Sequence, residues 1–437
     1  MKSHSKRLRE LDTAKGLAMF LVVFGHTLNF KSPVFNWIFS FHMPLFFFLT
    51  GMTFRPEKYE TFSQAVRDKF RARLVPYFFI TFVGFLICMI RPLYREAVFC
   101  RELKSELLSI FYYGQPAELY IGQVWFLAAL FFAELMLWLW FRCLEGRSPV
   151  LRLASLGLAA AVGIHLLPWV NWLFWKYEPL GLASLPWKLD TACTAFLFLA
   201  AGYYFRSLDL TRRLTPLYWA LFPLLVWANY IFGPAFGGYS NMCDCVYPPA
   251  PLYLAGAFSG IAAVYLTAVK WKRVRFLQFT GRHSLFFFAA QTFVNYLTAE
   301  VWFLISGNWY EPMQSMPGTG TAFLFACVSF AVMTLILYLW RAAKRQLIRR
   351  LPPAETVQEN GWRAETAAAR TIKVPRTSEN ATAAQTAKAP RASETAAAAQ
   401  AARVPRASET AAAAQTPVSG AERPAPRSRR RRTKHWI

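Results

Sequence analysis

The sequence predicts an all-α, polytopic membrane protein with about ten transmembrane helices and a disordered basic C-terminal tail. Three observations carry that expectation. The chain is 55% hydrophobic and only 17% charged, where a soluble domain carries about a quarter charged residues. Apolar stretches long enough to cross a bilayer recur, and most are apolar on every side. After Leu351 the composition changes abruptly to Ala, Thr, Pro, Glu and Arg.

In chain order the candidate spans are 12–30, 34–54, 74–91, 123–142, 150–172, 187–206, 216–233, 251–270, 284–306 and 320–340. The first is the least apolar, because it holds Asp12, Lys15 and His26. It lacks a small-residue cleavage site and reads as a retained span, not a signal peptide. The part-apolar stretch 103–122 reads as an interfacial or re-entrant helix. With the N-terminus in the cytoplasm, basic residues crowd the inner segments: Arg7 and Arg9, Arg67 to Arg73, Arg142 and Arg147, Arg212 and Arg213, Lys270 to Arg282, and Arg341 onward. The last two outer loops, 234–250 and 307–319, hold none. This asymmetry follows the positive-inside rule and returns the C-terminus to the cytoplasm of an inner membrane.

The chain divides into a transmembrane domain, 1–350, and a tail, 351–437. The tail repeats every fifteen residues, from Lys373 to Glu379, Lys388 to Glu394 and Arg403 to Glu409. It has too few apolar side chains to bury a core and is expected to be disordered. About half of the +25 net charge lies after Trp340 and the rest in loops between spans, where it sets topology. No nucleic-acid partner is expected. The seven cysteines are scattered. Cys243 and Cys245 offer too few ligands for a structural zinc site, and no metal is expected.

Ionisable groups inside membrane-grade sequence are costly, so each is a candidate functional residue. Lys15 and His26 are eleven residues apart. On a helix that puts them on one face, about 16 Å apart along the axis. Histidine titrates nearest neutrality and suits a general base; a buried helix–helix contact accounts for His26 equally well. His42 precedes Pro44, which is expected to kink its helix. Glu134 lies inside an apolar run, where it suits orienting a histidine, contacting a substrate, or pairing with a basic group. Asp190 is similar and weaker, while His165 and His283 are assigned no role. Lys69, Arg71 and Arg73 precede Pro76-Tyr77 and suit either phosphate binding or membrane anchoring.

Read together, Asp12-Thr-Ala-Lys15-Gly16, His26, and the block from Phe41-His42-Met43-Pro44 to Gly51 resemble the opening of the acyltransferase-3 family of integral-membrane O-acyltransferases. The resemblance extends over residues 7–340 and includes Trp125-Phe-Leu127 and Gly281-Arg282-His283-Ser284. It departs at two places. Basic residues run at 69, 71 and 73 instead of three apart, and Gln291 stands where relatives commonly place a histidine.

The resemblance implies transfer of an acyl group, expected to be acetyl, from acyl-coenzyme A to a hydroxyl of a cell-surface glycan or its lipid-linked precursor. It implies His26 as base, His42 and Glu134 lining the site, and Lys15, Arg71 and Arg73 holding coenzyme phosphates. Two other classes compete. A transporter or flippase of a glycolipid suits ten spans with buried ionisable groups, but no internal repeat is visible among the spans. A scaffold acting through its tail would lose function when 352–437 is deleted.

Overall fold

The computed structural model describes residues 9–90, 107–116, 121–177, 182, 184–308, 310 and 318–350. Met1–Leu347 forms one compact unit, and Ile348–Ile437 is assigned to a second. The repeat tail lies outside the described residues. Among the described residues the chain is helical throughout, with one isolated β-bridge between Asn241 and Val246.

Helix α1, Arg9–Gly25, starts with Glu10 and Asp12 in its first turn, where the helix dipole favours acids. Its hydrogen bonding runs one residue further, from His26 N to Val22 O at 3.0 Å. The expected second span, 34–54, is two helices, α2 (Pro33–Phe39) and α3 (His42–Gly51). Ser32 caps α2 and Pro33 occupies its first turn. The break falls at Ser40–Phe41, and Pro44 sits in the first turn of α3 instead of kinking a longer helix. A proline there needs no donor, and without its N–H the helix does not continue back onto Ser40.

Helix α4, Phe62–Lys69, runs through a wide π-type turn, Phe70–Leu74, into α5, Val75–Ile90. Pro76 cannot donate to Ala72, and the ladder shifts so that Val75 N reaches Phe70 O. Of the stretch 103–122, the described part holds a single wide turn, Ser109–Tyr113, closed by left-handed Gly114. Then follow α6 (Trp125–Cys143), α7 (Pro149–Ala161), α8 (Leu167–Tyr177), α9 (Leu189–Ser207), α10 (Leu210–Leu214) and α11 (Tyr218–Tyr230). The last are α12 (Ala250–Lys270), α13 (Arg275–Arg282), α14 (Ser284–Ser306) and α15 (Thr319–Arg350).

Seven helical segments are long and apolar enough to cross a membrane. Three expected spans fall outside that set, at α1, α9 and α14. Helix α1 has only 17 residues, with three charged groups by Asp12, and α14 carries Gln291, Asn295 and Glu300. Large apolar side chains such as Leu153, Trp169, Trp175 and Trp219 project outward from α7, α8 and α11, as lipid contact permits.

At several crossings a glycine leaves no room for a side chain. A Cβ on Gly51 would overlap the Leu199 carbonyl, and one on Gly202 the Phe48 carbonyl, so α3 and α9 touch backbone to backbone. A Cβ on Gly281 would likewise overlap the Asp12 carbonyl where α13 crosses α1. Gly281→Ala is therefore expected to push α13 off α1 and cost about 1–3 kcal/mol. A thermal-unfolding midpoint in detergent equal to that of the unmodified protein would contradict this.

Candidate active site

The break between α2 and α3 brings the two histidines to one phenyl ring. His42 packs edge-on to Phe39 with centroids 4.5 Å apart, and His26 does so at 6.2 Å. His42 is buried, and its Nδ1 lies 3.0 Å from the Ile38 carbonyl oxygen. A carbonyl only accepts, so Nδ1 carries the proton and the lone pair sits on Nε2. That is the tautomer a general base needs.

Neighbouring residues fix both ring positions. Thr27 Oγ1 bonds Phe24 O and Ala322 O, each at 2.9 Å, which pins the His26 turn to α15. Ser40 Oγ donates to Trp37 O at 2.8 Å and accepts from Asn229 Nδ2 at 3.2 Å. Asn229 also donates to Gly256 O at 2.7 Å, so the break is tied to α11 and α12. The sequence reading passed over Ser40 and Asn229, although an asparagine inside an apolar span was the available signal.

Glu134 goes elsewhere. Lys69 Nζ donates to its Oε1 at 2.6 Å, and Arg73 donates through Nε to Oε2 at 2.9 Å and through Nη2 to Oε1 at 3.2 Å. Glu134 is 2% exposed, Lys69 12% and Arg73 27%. Of the roles open to Glu134, the structure provides the cationic pairing, and both cations come from the cluster expected to hold phosphates. Arg71 is exposed between them.

Lys15 is half-buried on α1. Nearby, Arg282 Nε donates to Asp12 Oδ2 at 3.1 Å, which joins two family blocks 270 residues apart. Asp190 accepts from Thr191 N at 2.6 Å and from Asn171. Buried Lys188 donates to Cys243 O at 2.9 Å, holding the Cys243–Cys245 loop against α9. In that loop burial pushes both thiols above their ordinary range, which marks them as inert. His165 is exposed.

The family model described as an acyltransferase domain, acyltransferase-3, matches residues 8–341. The chain belongs to the acyltransferase-3 family. No curated protein and no solved structure matches it. As an acyltransferase-3 member with apolar helices of bilayer length, it is a multi-pass membrane acyltransferase. Among its described residues no group of three or more His, Cys, Asp or Glu side chains could hold a metal ion. One further feature lies inside the family segment. Gln291 is fully buried with both amide atoms unpartnered, and Asn295 Oδ1 and Trp302 Nε1 lie unpartnered further along α14.

Proposed function

We propose that this chain is an inner-membrane O-acyltransferase with cytoplasmic termini. In this reading ten helices span the bilayer, the three less apolar ones being shielded within the bundle. The donor is acetyl-coenzyme A or another acyl-coenzyme A. The acceptor is a hydroxyl of a cell-envelope glycan or its lipid-linked precursor.

The observation that carries this reading is the pair of histidines on Phe39, with the His42 lone pair directed to Nε2 by the Ile38 carbonyl. One imidazole takes the acceptor's hydroxyl proton as that oxygen attacks the thioester carbonyl. The tetrahedral intermediate then collapses, the carbon–sulfur bond breaks, and the coenzyme leaves as a thiolate that takes up a proton. The second histidine orients the acceptor or stabilises the charge that develops. We assign base to His26 and that supporting role to His42, with exchange of the two roles as the variant of the scheme. Lys69, Arg73 and Glu134 brace the wall formed by α5 and α6. Arg73 keeps its Nη1 donors for a phosphate, and Arg71 and Lys15 are assigned to phosphates as well.

Radiolabelled acetyl-coenzyme A in membrane vesicles tests the proposal, comparing the unmodified protein with His26→Ala at matched expression. Label is expected in envelope glycan with the unmodified protein and at background with the variant. No label with acetyl or longer donors, together with undiminished glycan export by the variant, would sink the acyltransfer reaction proposed here.

A further inference from the structure

A cleft of about 940 Å³ opens beside the crossing of α1 and α13. Five arginines line it, Arg9, Arg273, Arg275, Arg282 and Arg341, from three separate parts of the chain. We infer that this cleft binds a ligand carrying at least two phosphate groups.

The arginines are arranged, not merely present. Arg275 and Arg282 stand seven residues apart at the two ends of α13, which puts them on one helical face. Arg282 is held by Asp12 Oδ2 and by Gln278 Oε1, the latter at 3.3 Å. Arg341 Nη1 lies 2.9 Å from His283 Nε2, and His283 Nδ1 donates to Phe279 O at 2.7 Å. The second bond leaves Nε2 as an acceptor, so a neutral imidazole orients a guanidinium toward the cleft. Arg341 also lies over the Phe279 ring at 5.6 Å.

The remaining three are uncompensated. Among the described residues, Arg9, Arg273 and Arg275 form no ion pair. Among the described residues Asp12 is the carboxylate that pairs with a lining arginine, Arg282. Ordinary membrane-anchoring arginines point separately into solvent, where repulsion is weak. Here they converge on one concavity, and their repulsion is relieved when anions enter. Guanidinium forks grip phosphate bidentately, and a single phosphate cannot engage groups spread along two turns of α13. The volume falls at the top of the range of about 300–1,000 Å³ usual for ligand pockets, enough for a nucleotide-sized molecule.

Phosphates at this face have two sources. One is the coenzyme of the acyl donor, which rests on the acyltransferase reading above and moves the main phosphate anchor from the 69–73 cluster to this cleft. The other is the headgroup of an anionic lipid that carries two phosphates. Calorimetric binding to the full-length protein in zwitterionic nanodiscs separates them, using coenzyme A and inorganic pyrophosphate as probes. Three proteins are compared: unmodified, Arg273→Ala/Arg275→Ala, and Arg147→Ala as an exposed-arginine control.

The double variant is expected to bind coenzyme A at least about tenfold more weakly, with pyrophosphate competing on the unmodified protein and the control unchanged. If coenzyme binding persists but the double variant no longer enriches cardiolipin, a lipid with two phosphates, from mixed vesicles, the phosphate site stands with lipid as its source. If the double variant matches the unmodified protein in both arms, the inference is overturned. The readout needs no turnover. A protein that binds coenzyme A here yet transfers no acyl group would remove the enzymatic proposal and leave the cleft in place.

Discussion

His42→Asn is expected to reduce acyl transfer by about 10²–10⁴-fold while leaving the fold intact, because it removes the Nε2 lone pair that would accept from and orient the substrate hydroxyl, and keeps a donor. Asparagine places its Nδ2 near where the imidazole Nδ1 sits, so the bond to Ile38 O, now 3.0 Å, has a substitute. The lone pair at Nε2 has none. Turnover in proteoliposomes and the unfolding midpoint should be measured on the same preparation. His26→Asn is expected to fall by a comparable factor. If both rings serve one step, the double variant loses little beyond either single one, since groups acting as a unit are strongly non-additive. A His42→Asn protein within about threefold of normal turnover would reduce His42 to a packing residue.

The two histidines were legible because imidazoles in apolar sequence are conspicuous. Their meeting was not. It depends on the Ser40–Phe41 break, whose position follows from Pro44 sitting in a first turn and from Asn229 reaching Ser40 across 189 residues. The helical character of the chain was equally legible, since it needs only composition and segment length. The number of spans was harder to read. Helices α1, α9 and α14 spend residues on Asp12, Asp190 and Gln291, all buried inside the bundle, and a helix shielded by its neighbours need not be apolar all round. The basic run before Pro76 was visible, and spacing of four already puts Lys69 and Arg73 on one helical face, but the carboxylate that takes both lies more than sixty positions away, and Arg71 is left exposed. The arginine cleft was the least legible feature. Its members are separated by up to 332 positions, from Arg9 to Arg341, and they are gathered by the crossing of α13 over α1 and by the contact of Arg341 on α15 with His283.

Glu134→Ala is expected to destabilise the protein by about 3–5 kcal/mol, the usual cost of leaving buried charges without their partner. Two cations converge on this carboxylate where it is 2% exposed, and neither Lys69 nor Arg73 has another carboxylate within ion-pair distance among the described residues. The folded fraction in detergent and the unfolding midpoint should both drop. Arg73→Gln should cost less, because Lys69 still neutralises Glu134 through its 2.6 Å bond. Adding Arg73→Gln to Glu134→Gln should then recover part of the loss, since it removes one of the two stranded cations. That recovery separates the two roles open to Glu134. A carboxylate that works chemically on the substrate would give a well-folded but inactive Glu134→Gln protein, and Arg73→Gln would rescue nothing. A carboxylate that braces α5 against α6 would give an unstable protein whose surviving folded molecules turn over at close to the normal rate. The ion pairs favour the second outcome, because among the described residues every hydrogen bond made to this carboxylate comes from a protein cation.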